Sequence, residues 1–378
     1  MRFLNFFHST LHWDIVLLIA LCPLYNAFLG SYGVYQLLLF PVILLFLYYK
    51  ISDKVHTPIK NYVKIYIVMI LQWALLSIII GRPVFQDSKV FLLALLILLH
   101  AISYRTCSLI YPLLAIVGII VGYVMIKNMN MVADVRLSLQ VGDTMQDPNW
   151  IAIFLFAPFC VGLNLIQNKR VILKILGMVL AIYSFYVVFL TGSRGALLGL
   201  IAAFLVWIRM TFKKSRGISV ALIIAAFILA FYMFIVYMIP AVEVGLIERY
   251  TGGEIGDDRT AIWSRLIPEY LNGNIVELMF GRGPGTCVRD VGMSAHNMFL
   301  EQLFQTGLFG IILMIVFIFQ FFKDTIKCNN VLGLYIISAL FTLSLTTPIW
   351  GHIYFMTPLA MVAYVNNAQT LKTRQERI

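Results

Sequence analysis

The chain is 378 residues long, 61% hydrophobic and 12% charged, with a formal net charge of +11 and a mean hydropathy of +0.91. Soluble domains carry roughly twice that charged fraction, so composition excludes a water-soluble globular fold and indicates an integral membrane protein. The basic excess is segregated along the chain in the manner of a membrane protein, which excludes reading it as a nucleic-acid footprint.

A membrane-crossing helix needs about 20 apolar residues, because every backbone polar group must be satisfied inside the segment. About twelve such spans are predicted, near 14–30, 32–49, 65–80, 90–103, 109–126, 149–166, 171–190, 195–212, 218–240, 297–322, 331–347 and 352–365. Several are short, which tilt or local bilayer thinning accommodates. Arg2 precedes an aromatic stretch, but no small-residue cleavage site follows the first span, so that span is expected to stay. The predicted fold is all-α: one polytopic transmembrane domain over 1–378, with a single long polar loop at 241–296 inside it.

Charge sets the predicted orientation. With both termini inside, the inner segments collect Lys60, Lys64, Lys169, Arg170, Lys213, Lys214, Lys323 and Lys327, while most acidic residues fall on the outer side. This follows the positive-inside rule and faces the 241–296 loop outward. Of the five cysteines, only Cys287 falls in an outer loop; with no CxxC pair present, they are expected to be packing residues.

The loop at 241–296 opens with acids and a turn-rich Thr251-Gly252-Gly253-Glu254. An amphipathic helix is predicted over about 258–271, carrying Ile262, Trp263, Leu266, Ile267 and Leu271, with Pro268 bending it late. Gly281-Arg282-Gly283-Pro284-Gly285 lacks the Gly-Lys-Ser/Thr ending of a phosphate-binding loop and is expected to be a turn. Asp257-Asp258 suits a helix start better than a metal site, since no second acidic pair or histidine cluster completes it. No metal and no cofactor is predicted.

Three places carry candidate chemistry. Arg194 follows Gly192-Ser193 in a tight outward connection, where it either snorkels to anchor a helix end or lines a polar cavity. Arg259, Arg265, Arg282 and Arg289 make the long loop rich in guanidinium groups that either grip phosphate bidentately or pair with the loop's own acids. Arg259 and Trp263 are spaced i, i+4 and share a helix face. His296 stands where a helix dipole and nearby arginines favour neutral imidazole, able to accept a proton; an interfacial structural role is the competing reading. Asn297 and Glu301 are predicted to share a face below it, and His352 is a second outer histidine expected to pack.

At these residues the chain resembles the O-antigen ligase and polymerase superfamily of bacterial polysaccharide enzymes. The resemblance rests on Asp147-Pro148-Asn149, on Ser193-Arg194-Gly195-Ala196, and on His296-Asn297-Met298-Phe299-Leu300-Glu301 with Gly307 and Gly310. The Arg259-to-Trp263 spacing and the 281–285 glycine run are similar as well, so the likeness covers roughly residues 145–320. It implies a metal-independent, inverting, multi-span (GT-C-like) glycosyltransferase of the bacterial cytoplasmic membrane, its active site facing the periplasm. The donor it implies is an undecaprenyl-diphosphate-linked oligosaccharide. Membrane lipid, a chain-length regulator and a flippase of the same pathway would be its partners, with no role for nucleic acid.

The site expected on these grounds has His296 as base and Arg194 and Arg259 at the diphosphate. Arg265, Arg282, Arg289, Asn149, Trp263, Asn297 and Glu301 are expected to contact substrate. A polymerase of O-antigen or capsule repeat units is the favoured activity. A ligase delivering glycan to lipid A-core and a flippase or transporter of the lipid-linked oligosaccharide are the alternatives. Transporters usually place charges near the midplane, whereas the candidates here cluster at one rim.

Overall fold

A computed structural model of the chain describes residues 59–81, 110–128, 131–132, 136–141, 144–212, 257–348, 350 and 353–375. Predicted spans 14–30, 32–49, 90–103 and 218–240, together with His352, lie outside the described residues. The other eight predicted spans are helices. They are α1 (Asn61–Ile79), α2 (Ile110–Asn128), α3 (Pro148–Ile166), α4 (Val171–Leu190) and α5 (Arg194–Phe212), then α9 (Met298–Lys327), α10 (Val331–Ser344) and α11 (Ile353–Gln375). The polar loop between α5 and α9 contributes α6 (Asp257–Leu271), α7 (Ile275–Phe280) and α8 (Thr286–Val291). Six of the described helices are long and apolar enough to cross a membrane.

The all-α expectation needs one addition. Between α2 and α3, where a plain loop was expected, β1 (Met131–Val132) pairs antiparallel with β2 (Arg136–Leu137), and β3 (Gln140–Val141) with β4 (Thr144–Met145). Leu137, Ser138 and Leu139 are buried, so this double hairpin presses into the bundle. Pairs of two residues leave no alternating apolar pattern long enough to read as strands.

Helices α1, α2, α4, α5 and α9 bury part of their surface and expose apolar side chains elsewhere, as lipid-facing helices do, whereas α3 and α10 expose no large apolar side chain. In α1, Tyr62, Tyr66, Met69, Trp73 and Leu76 recur at helical spacing and are buried, whereas Leu71, Leu75, Ile78 and Ile79 are exposed. The buried stripe meets Phe317 and Phe321 of α9, with Tyr62 edge-on to Phe321 at 5.0 Å between ring centroids. Helices α3 and α4 cross at Gly162 and Gly177, where a Cβ at either position would meet backbone of the other helix at 2.6–2.7 Å. Without a side chain at the crossing, close packing replaces the hydrophobic driving force that lipid removes.

Polar groups at the end away from the long loop are joined. Lys60 Nζ pairs with Asp324 Oδ2 at 2.8 Å. Asn330 Nδ2 donates to Tyr111 OH at 2.8 Å and to Asn366 Oδ1 at 2.9 Å, and Asn366 Nδ2 donates to Thr325 Oγ1 at 2.9 Å. This network fastens α2, α9, α10 and α11 where water is scarce and an unmet polar group is expensive.

Helix α9 is broken. Gly307 has φ 67° and ψ −168°, a backbone conformation open essentially to glycine alone. The 298–306 carbonyls that lose helical partners are met from elsewhere: Arg282 N–H donates to Phe304 O at 3.1 Å, Gly283 N–H to Gln305 O at 2.9 Å, and Gln72 Nε2 to Thr306 O at 2.7 Å. A Cβ on Gly307 would lie 2.5–2.6 Å from Gly281 and Met279 backbone atoms.

The break is also a sharp bend, as lengths require. Helices α9 and α10 are joined at the basic end by residues 328–330. With 14 residues, α10 rises ~21 Å, while a straight 30-residue α9 would run ~45 Å. Yet Asn297 Nδ2 donates to Leu345 O at 2.9 Å. The two ends meet because the chain changes direction at Gly307, where the backbone leaves helical geometry. The stretch after α10 stays within the bundle too, with Trp350 buried against Phe317 and Tyr66 at ring-centroid distances of 5.3 and 6.1 Å. The predicted span at 297–322 is thus a helix, Met298–Lys327, interrupted at Gly307 into a 298–306 segment and a 308–327 segment.

Gly307→Ala is expected to destabilise the protein by about 1–3 kcal/mol or more, measured as a lower apparent melting temperature in detergent. Gly292→Ala, also at positive φ (87°) but with nothing within 4 Å of its Cβ, is expected to cost less.

Candidate active site

Helices α4 and α5 are joined by a three-residue turn, Thr191-Gly192-Ser193. Thr191 closes α4, Gly192 takes a left-handed conformation (φ 61°) with its N–H on Phe189 O at 3.0 Å, and Ser193 Oγ caps α5 by accepting Ala196 N–H at 3.2 Å. Arg194 is therefore the first residue of α5. A cation there opposes the helix dipole, a placement that favours a nearby anion. Gly195 abuts the end of α10 so closely that a Cβ would fall 1.8 Å from Thr346 Oγ1.

Asp147-Pro148-Asn149 opens α3 beside this turn. Asp147 Oδ1 accepts Asn149 N–H at 2.7 Å, capping a helix whose first position is proline. Asn149 Oδ1 accepts Ser193 Oγ–H at 2.6 Å, tying the two motifs together. The same oxygen accepts Arg136 Nη2–H at 3.3 Å, and Arg136 Nε–H donates to Thr191 O at 2.9 Å. Arg136 was missed by sequence reasoning; its one signal was being an arginine on the acid-leaning outer side.

His296 is exposed and holds a positive φ of 49°, rare outside glycine and costing of order 1–3 kcal/mol. Its neighbours impose it. Trp263 Nε1–H donates to Ala295 O at 2.8 Å. Glu301 Oε2 accepts Ala295 N–H at 2.7 Å and Ser294 Oγ–H at 3.1 Å. Asn297 Oδ1 caps the half-helix through Phe299 N–H (2.9 Å) and Leu300 N–H (3.1 Å). Trp263, Asn297 and Glu301, expected at substrate, are thus engaged in aiming the turn that carries His296. Arg259 stands one helical turn before Trp263 on the same face of α6 and is half-buried.

Residues 345–346 stitch the two halves together, receiving Gly195 on one side and Asn297 on the other. The starts of α3, α5 and α9 are therefore linked to one another through these contacts. Four separate stretches of sequence meet there.

The loop arginines do not converge on this site as a group. Arg282 is committed to its own loop: Nη1 meets Glu269 Oε1 at 2.5 Å, Nη2 donates to Glu269 O at 2.6 Å, and Nε stands 3.3 Å from Glu277 Oε2. Its guanidinium lies 5.2 Å from the Phe304 ring centroid, and Asp290 Oδ2 is 3.8 Å away. Arg289 pairs with Asp290 at 2.5 Å, and Arg265 is exposed. Arg282 and Arg289 are thus both held in ion pairs with acids of their own loop. Both line a cleft of about 830 Å³ between α1 and α7–α8, which His296, Arg194 and Asn149 do not line. Cys287 is buried, its thiol pushed up first by burial and then by the Glu301 carboxylate, which suits a packing residue. Among the described residues, no three His, Cys, Asp or Glu side chains gather in a group fit to hold a metal ion.

The fold is that of a polytopic helical membrane protein, with Arg194, His296 and Asn149 at or just before helix starts that residues 345–346 and the Asn149–Ser193 bond tie together. Residues 178–315 match the family model described as O-Antigen ligase, which supports placing the chain in the O-antigen ligase/polymerase superfamily. Members of that family are glycosyltransferase-like enzymes acting on lipid-linked sugars. The match includes Arg194, the loop helices, His296 and the Gly307 break; Asp147-Pro148-Asn149 lies before it and joins the site only through Asn149. The chain matches none of the curated proteins with which it was compared.

Arg282→Ala is expected to leave Glu269, Glu277 and Asp290 facing one another and to cost about 2–3 kcal/mol, seen as a lower melting temperature and faster proteolysis around 281–306. Arg265→Ala, at an exposed position, should change stability by no more than about 0.5 kcal/mol.

Proposed function

We propose that the protein is a polysaccharide polymerase of the bacterial cytoplasmic membrane, with both termini in the cytoplasm and the site facing the periplasm. It would transfer an undecaprenyl-diphosphate-linked glycan of the O-antigen or capsule type to a sugar hydroxyl of another lipid-linked repeat unit. The observation that carries this reading is the stitching of the Arg194 turn to the His296 turn through residues 345–346, inside a stretch matching O-Antigen ligase. The outward orientation rests on basic residues such as Lys60, Lys64, Lys323 and Lys327 at the opposite end.

In this mechanism Arg194 and Arg259 hold the diphosphate and stabilise the charge that grows as it departs. His296 accepts the proton of the attacking hydroxyl. The hydroxyl oxygen bonds to the anomeric carbon from the face opposite the diphosphate, the carbon–oxygen bond to phosphate breaks, and configuration inverts. Undecaprenyl diphosphate leaves with the bonding electron pair. The guanidinium groups supply the positive charge that a divalent ion supplies in other transferases. The strained His296 backbone fits a side chain whose direction matters more than its comfort.

A ligase reading is favoured by the matched family's own description, and it differs only in taking lipid A-core as acceptor. Transporters pair broken helices around a midplane site. Among the described residues only α9 is broken, and its gap is filled by the 281–283 backbone.

Purified protein given a single lipid-linked repeat is expected to produce a ladder of longer species. Product appearing only after lipid A-core is added would instead establish the ligase. His296→Asn keeps a residue tolerant of positive φ and is expected to lower the rate by about 10²–10⁴. Arg194→Ala and Arg259→Ala are each expected to cost about 10²–10³. Long-chain polymer at normal levels from cells carrying His296→Asn would refute the base assignment.

A further inference from the structure

We propose that Arg136 is a positioning residue that sets the direction of Arg194. This inference rests on the transferase reading for its catalytic consequence, though its structural part stands alone. Arg136 opens the buried stretch Leu137–Leu139, so its backbone is anchored inside the bundle and not on a free loop. From there its fork reaches two acceptors in different segments: Thr191 O, the last carbonyl region of α4, and Asn149 Oδ1, at the start of α3. Asn149 Oδ1 in turn receives Ser193 Oγ–H, and Ser193 is both the cap of α5 and the residue before Arg194. One guanidinium therefore bolts together the hairpin, the start of α3 and both sides of the α4–α5 turn.

The residue type matters for two reasons. A cation at the C-terminal carbonyls of α4 is favoured by the helix dipole. Nε–H and Nη2–H also leave a planar fork in fixed directions, so two acceptors are held at a defined separation, which the single ammonium of lysine cannot reproduce. The turn it braces has only Gly192 and Ser193 between the closing residue of α4 and Arg194. Loss of the brace frees Gly192, and the error passes directly to the Arg194 side chain. Misplacement by about 1 Å is enough to cost roughly 10²-fold in rate.

The test compares full-length wild type, Arg136→Ala, Arg136→Lys, Ser193→Ala and the Arg136→Ala/Ser193→Ala double variant in detergent or nanodiscs. Two readouts are taken: turnover of a single lipid-linked repeat, and amide hydrogen exchange. Arg136→Ala is expected to lower kcat by about 10–100-fold while KM moves less than about 3-fold. Lysine should recover part of the loss, and the double variant should be little worse than the poorer single one. Exchange is expected to quicken at 192–196 but not at the Asn330–Asn366 network. A selective rise in KM would mean direct donor contact and overturn the positioning role, as would unchanged exchange at 192–196 or a wild-type kcat in Arg136→Ala. Should wild type make no product while exchange at 192–196 responds as expected, the transferase reading fails and the bracing of the turn by Arg136 stands. If Arg136→Ala does not fold, the lysine and Ser193→Ala variants decide by the same two readouts.

Discussion

The arrangement of this protein depends on how the broken helix at Gly307 satisfies its carbonyls. In apolar surroundings an unmet backbone carbonyl costs several kcal/mol, so a helix can end inside the bundle only where donors are delivered to it. Arg282 and Gly283 supply backbone N–H groups and Gln72 a side-chain amide. For the 281–283 backbone to approach that closely, neither Gly281 nor Gly307 can carry a side chain. The loop is then pinned from the other side by the three carboxylates around Arg282. A glycine-rich run that looks like a phosphate cradle is thus part of the scaffold.

From that constraint the site follows. The bend returns 298–306 toward the bundle, which brings Asn297 to Leu345 and sets His296 beside the end of α10. On the other side of the same short stretch sits Gly195, and with it Arg194. Helix α10 contributes by being too short to cross ~30 Å of hydrocarbon, leaving the chain after it to run inside the bundle with Trp350 as its buried anchor. The candidate groups Asn149, Arg194 and His296 sit at or just before helix starts, where backbone dipoles favour anions.

Much of this was legible in sequence, and for identifiable reasons. Long apolar runs ended by basic residues located α4 at 171–190 and α5 within one residue, because hydrophobic length and charge are local properties. The amphipathic helix now seen at Asp257–Leu271 was legible from Ile262, Trp263, Leu266, Ile267 and Leu271, of which Ile262 and Leu266 are buried while Ile267 and Leu271 are exposed. Arg194 and His296 stood out as polar groups beside apolar runs. By contrast, Arg136 carried almost no signal: its importance lies in reaching Thr191 and Asn149, 55 and 13 residues away. The loop arginines looked equivalent in sequence, yet Arg282 is enclosed by acids drawn from Glu269, Glu277 and Asp290 while Arg265 is exposed.

The sequence by itself determined a membrane-embedded helical chain, the positions of its recognisable helices, a polar face segregated from a basic one, and the superfamily likeness. Each of these depends on composition, periodicity or short motifs, which are properties of neighbouring residues. Only the tertiary structure decided that α9 is two helices, that Asn297 and Glu301 shape the His296 turn, and that 345–346 joins the two motif-bearing halves. Those outcomes depend on backbone hydrogen bonds and close approaches between segments tens to hundreds of residues apart, and no local pattern encodes which distant donor will meet a given carbonyl.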